Sequence, residues 1–111
     1  MKKFSLAAIA RSELREAVNA SNGRAARTVF GGHEHIMRQT VMALAQGTEL
    51  QEHENPGEAT ILVISGRIRI SSGGEQWEGR SQDLLVLPDG RIQVTALEES
   101  SILLSVAKSG R

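Results

Sequence analysis

Beyond Gly23 the chain breaks into short stretches rich in Val, Ile, Leu and Thr, separated by glycines or by Pro88-Asp89-Gly90. β-branched side chains suit a pleated surface, and glycine supplies the positive φ that tight turns need, so this texture reads as strands and turns. The predicted strands are 27–30, 36–45, 49–53, 60–64, 67–71, 76–78, 84–87, 92–96 and 102–107. Between them lie Gly31-Gly32, Gly47, Gly66, Gly73-Gly74 and 88–90 as turns. No helical pattern alternates with these strands, which excludes a βαβ sheet and indicates an all-β sandwich or barrel.

The N-terminus imitates a secretion signal, with two lysines, a short apolar run and Ala8-Ile9-Ala10 where a cleavage motif would stand. The run is only about seven residues long, and the segment as a whole is too short for that role. Past Arg11, the residues Leu6, Ile9, Leu14, Ala17 and Val18 keep a helical period. An amphipathic helix is therefore expected, starting after Ser5 or Ser12 and stopping near Asn22-Gly23. The chain divides into a helical segment, 1–23, packed on the barrel or on a dimer partner, and a barrel, 24–111, in one domain overall.

At 111 residues the chain can bury a core without staples. The absence of cysteine excludes disulfides, thiolate metal sites and a cysteine nucleophile. Thirteen basic residues balance thirteen acidic ones, with no long run of either sign, so neither a nucleic-acid groove nor an anionic membrane surface is expected as a partner. Two Phe, one Trp and no Tyr leave little for base stacking. No apolar stretch reaches membrane-spanning length, and a cytoplasmic location is expected.

Arg67-Ile68-Arg69-Ile70 alternates as a strand with one wet face should, whereas 61–64, 84–87 and 102–104 are apolar on both faces. A small barrel buries only the inner face of its wall. One short helix cannot cover several strands, so a homodimer is expected to hide the rest.

Gly47 stands six positions before His53, Gly66 thirteen after it, and Pro88 and Gly90 follow an apolar strand. This spacing, with the phrases "PGEATILVISGRIRI" and "DLLVLPDGR", resembles the cupin superfamily over about residues 40–107. The resemblance implies a double-stranded β-helix, or jelly-roll barrel, here carrying a short N-terminal α-helix. It also implies where a metal would sit, since metal-binding cupins converge three histidines and a glutamate inside the barrel. Laid on that motif, the first histidine is His53, the second falls on Asn55, the glutamate on Ala59 or Thr60, and the third histidine on Gln93. Gln82 replaces the second motif's glycine and Leu97 its asparagine. The spacing survives while three of the four ligands are lost, so no metal cofactor is expected. A divalent transition metal, if held at all, would need His53 with His33, His35, Glu58 or Gln93. Glu58 is one residue out of step with the motif, and strand alternation turns such a neighbour to the opposite face. His33 and His35 share one face of an extended segment, about 6–7 Å apart; the plainer reading is a polar loop. Met37 and Met42 read as core filling, and Trp77 as an anchor of the wall or the dimer face.

The inferred pocket holds His53, Asn55 and Gln93, walled by Ile61 and Val63. One of Arg38 and Gln39 also points inward by alternation, and Gln39 is assigned to the lining. Such a pocket suits non-catalytic binding or sensing of a small polar molecule. Two alternatives are a metal-dependent oxygenase or isomerase with a non-standard ligand set, and a structural dimer module whose barrel is merely filled.

Overall fold

A computed structural model describes residues 1–54 and 57–108, with the side chains of 51–54 and 57 excepted. One helix, α1 (Leu6–Asn19), precedes nine strands: β1 (Arg24–Phe30), β2 (Met37–Leu44), β3 (Glu49–Glu54), β4 (Gly57–Ser65), β5 (Arg67–Ser72), β6 (Glu75–Arg80), β7 (Leu84–Val86), β8 (Arg91–Ala96) and β9 (Ser100–Lys108). Each predicted strand is present, and most run one to three residues longer than expected. The ends extend because ladder hydrogen bonds continue into polar residues that propensity alone assigns to turns. The helix starts at the earlier of the two expected caps: the Ser5 hydroxyl accepts from the Ala8 amide at 3.3 Å.

The strands form two antiparallel sheets, ordered β1-β2-β9-β4-β7 and β3-β8-β5-β6. Register decides which side chains meet. On the inner face of the five-stranded sheet, Met42 pairs with Ile102 and Ile102 with Val63, while Leu104 pairs with Ile61. The facing sheet contributes Ile68, Ile70, Ile92, Val94 and Ala96. Ile61, Val63, Ile68, Ile92 and Ile102 are at most 1 % exposed. Each such side chain contributes about 1.5–3 kcal/mol by leaving water. The sheets also meet along one flank through side chains. Leu85 on β7 packs over Gly79 on β6, where an added Cβ would fall 2.7 Å from Leu85 Cδ1.

The outer faces of the two sheets differ. That of the four-stranded sheet is polar: Arg67 reaches Glu78 at 3.0 Å and Glu98 at 3.3 Å, and the Thr95 hydroxyl donates to Glu49. That of the five-stranded sheet is apolar in its middle, where Val41, Leu103 and Leu62 stand side by side, and α1 packs mainly on its β1 and β2. Val41 and Ala43, fully buried, alternate with the inward Met42 and Leu44. The helix buries Ala10, Glu13 and Ala17, whereas Val18, expected on the apolar stripe, is 47 % exposed. A carboxylate takes a core position because Arg27 on β1 donates to Glu13 at 3.0 Å. Its guanidinium side is half exposed, so the pair orients the helix more than it stabilises the fold.

Candidate functional site

One end of the sandwich is formed by the starts of β2 and β4 and the ends of β3 and β9. The hairpin between β5 and β6 and the 87–91 connection close the same end. On the inner face of β2 the register runs Leu44, Met42, Thr40, Arg38 toward this end. Arg38 stands opposite Val106, which in turn pairs with Ala59. Val106 and Ala59 are buried, and Arg38 is exposed, so a guanidinium stands at the rim of an apolar floor. Below it the hydroxyls of Thr28 and Thr40 lie 3.3 Å apart. Across the barrel, the backbone of His53 on β3 pairs with Ile92.

Four of the expected lining residues, Ile61, Val63, Gln39 and Gln93, are placed away from this mouth. Ile61 and Val63 are inner-face residues, and both are buried in the continuous core. Gln39 occupies the outer face of β2, where its amide nitrogen donates to Ser105 Oγ at 3.0 Å. Of the Arg38–Gln39 pair, Arg38 is the inward member. Gln93 also faces outward, between the buried Ile92 and Val94, and borders a shallow surface depression with Asn22, Arg24 and Thr48. The physical reason is the same in both strands. The core selects Ile92, Val94 and Ala96 on β8, and Met42 and Leu44 on β2, so the polar neighbours are turned out. Asn55 lies outside the described residues, as does the side chain of His53.

The residues proposed as alternative metal ligands are also dispersed. His33 and His35 sit in the exposed loop between β1 and β2, and Glu58 is exposed at the start of β4, paired in register with Ala107. Among the described residues, no three of His, Asp and Glu are close enough to hold a metal ion. Of the two positions aligned with the glutamate of the motif, Ala59 faces inward and is 7 % exposed, while Thr60 pairs with Ser105 on the outer-face register.

Two backbone features fit the spacing of the motif. Gln82, in the place of the second motif's glycine, has φ +75°, a conformation glycine adopts freely. Its amide donates to the Val63 carbonyl at 2.7 Å, which holds the turn in place. Gly66, the last glycine of the first motif, has φ +89° and lies against Ser100.

Arg38 was obscured in the sequence because β2 is apolar on both faces: Val41 and Ala43 contact the helix side while Met42 and Leu44 contact the core. Alternation therefore gave no sign of which neighbour points in. A usable cue lay downstream, since Ile102, Leu104 and Val106 set the parity of β9, and β9 sets that of β2.

No protein-family model matches the chain, and no curated protein matches it. Solved structures do. A conserved protein of unknown function from Streptococcus pyogenes superposes with a TM-score of 0.74 at 25 % identity, covering 83 % of this chain and 80 % of that one. A cupin superfamily protein from Desulfitobacterium hafniense gives 0.70 at 15 % identity, covering 78 % of each chain. A protein of unknown function from Rhizobium leguminosarum gives 0.69 at 18 % identity and covers 97 % of this chain and 96 % of that one. No helix among the described residues is long and apolar enough to cross a membrane.

Proposed function

We propose that this chain, whose fold is that of the small cupins, binds a small acidic molecule at the open end of its barrel without transforming it, with Arg38 as the anchor. The observation that carries this reading is the placement of Arg38. It stands in the inner-face register at the rim and makes no ion pair with any described residue. A guanidinium presents paired N–H donors in a fixed plane, the geometry a carboxylate accepts. The apolar floor of Val106 and Ala59 would exclude water from one side of that contact and strengthen it. The motif spacing assigns His53 and Asn55 to the same lining. What supports a binding rather than a catalytic role is the inward Ala59, one of the two positions aligned with the motif's glutamate, and the outward Gln93.

Thermal melting in the presence of small mono- and dicarboxylates, set against neutral amides of the same size, tests the proposal. At a hundred times its dissociation constant a ligand stabilises by about 2.7 kcal/mol. An acid should raise the midpoint, its amide should not, and Arg38→Gln should weaken binding about tenfold or more. Equal effects of acids and amides, or an Arg38→Gln protein that binds as well as the original, would overturn it. Near-stoichiometric transition metal in the purified protein, lost in His53→Ala, would favour a metal-dependent enzyme instead.

The same reading takes the protein as a homodimer through the outer face of its five-stranded sheet. What supports this is a row running Leu103, Leu62, Leu84 from beside the helix to the edge strand β7. There Leu84 and Val86 are 61 % and 77 % exposed, an apolar edge that favours a covering partner. Sedimentation equilibrium should give twice the chain mass, and Leu84→Glu combined with Val86→Glu should give a folded monomer. A wild-type monomer at about 0.1 mM would rule out a dimer of useful affinity.

A further inference from the structure

We propose that the cleft at the free edge of β1 binds a planar aromatic anion, of which an aromatic carboxylate is the simplest member. Arg38 does not line this cleft, although Thr28 and the Gly31 turn bring the cleft next to the barrel mouth; Gln39 lines it from the outer side, so it goes beyond the Arg38 site. β1 is one of the two edge strands of its sheet, and the segment ahead of α1 brings Lys2 and Phe4 beside it. The space between them is about 620 Å³, within the range of small-molecule sites.

Local backbone geometry builds this cleft. A register shift between Thr28 and Phe30 sets Phe30 opposite Gln39. At Gly31 the chain turns with φ +96°, so close to β2 that a Cβ would run into the Met37 carbonyl oxygen and lie 2.7 Å from Arg38 Cα. The loop that follows is tied down at Gly32, whose carbonyl accepts from Lys108 Nζ at 3.0 Å and from the His35 amide at 3.3 Å. These ties place the His35 ring edge-on to Phe30, with centroids 5.1 Å apart and planes at 66°.

The chemistry of the lining selects the ligand. Phe4 and Phe30 offer apolar ring surface, on which another aromatic ring stacks or packs edge-on. Lys2 brings an ammonium, and no carboxylate lines the cleft, so the preferred partner of the ring carries negative charge. Gln39, held by its bond to Ser105, keeps an amide oxygen that accepts from a ring hydroxyl or N–H. A neutral aromatic would leave the ammonium without a partner, and a small aliphatic acid would leave the ring surfaces uncovered.

Titration of isotope-labelled full-length protein with benzoate, followed by NMR, tests this assignment against benzamide and acetate. Benzoate should bind with a dissociation constant of about 1 mM or tighter, and the largest shifts should fall at Lys2, Phe4, Phe30, His35 and Gln39. Benzamide and acetate should bind at least about tenfold more weakly. Lys2→Gln and Phe30→Leu should each weaken benzoate several-fold, with dispersed spectra showing that both remain folded. Lys3→Gln, which changes the neighbouring charge outside the cleft, should leave binding as it was. Equal binding of the three probes, no benzoate shifts at these residues up to about 10 mM, or unchanged affinity in Lys2→Gln would each overturn the proposal.

Discussion

Replacing Gly66 by alanine should cost the protein about 3 kcal/mol, read as a fall in the chemical-denaturation midpoint without change of slope. Two effects add at this position. With φ +89° the residue lies in the left-handed region, where a Cβ costs about 1–2 kcal/mol. The new Cβ would also meet the Glu99 carbonyl oxygen and Ser100 Oγ and lie 2.8 Å from Ser100 Cα, so backbone rather than a flexible tip must move. That backbone is held firmly. Ser100, fully buried, accepts from the Arg67 amide at 3.0 Å and contacts the carbonyl oxygens of Glu98 and Arg67. The neighbouring hydroxyls of Ser65 and Ser101 lie 2.6 Å apart. An opposite sign is expected at Gln82, whose φ is +75°: Gln82→Gly should relieve about 1 kcal/mol of strain, less the entropy that glycine loses on folding. Equal stability of Gly66→Ala and the original protein would show that the β4–β5 turn rearranges at no cost.

Ile61→Ala should be nearly as damaging, at about 3 kcal/mol, and it separates a packed barrel from a binding cavity. Ile61 is 1 % exposed and belongs to one continuous core with Val63, Ile68, Ile70, Ile92 and Ile102. Truncating such a side chain loses its transfer free energy and leaves a void that ordered strands cannot fill. Had Ile61 walled an open pocket, the same change would merely enlarge a space already in contact with water, and it would cost about 1 kcal/mol or less. Denaturation of Ile61→Ala beside Ile102→Ala, which lies in the same core, therefore reports directly on where the barrel ends and its mouth begins. A loss below about 1 kcal/mol at residue 61 alone would place the binding space deeper than the rim at Arg38.

Both predictions rest on register, and register marks the limit of what was legible. The nine strands, their order and the amphipathic helix follow from local chemistry: β-branched runs, glycines where φ must be positive, and a serine cap. Those signals are written in neighbouring residues, so a single sequence carries them. The cupin spacing was legible for the same reason, because Gly47, Gly66, Pro88 and Gly90 punctuate backbone turns.

Which residue of a pair faces the core was not legible wherever a strand was apolar on both sides or flanked by equally polar neighbours. Counting from Pro88-Asp89-Gly90 puts Gln93 inside, yet Ile92 and Val94 claim the inner face. Alternation allows either Arg38 or Gln39 to point in, and pairing with β9 turns Gln39 toward Ser105 and the outer surface. Glu13 is not in the apolar period of the helix and is 3 % exposed, because Arg27 reaches it from a strand fourteen residues away. Sequence by itself determined the parts and their order, since these depend on each residue's own backbone preferences. Tertiary structure alone decided the parity of each strand and the partner of each buried charge, since both depend on contacts between segments far apart in the chain.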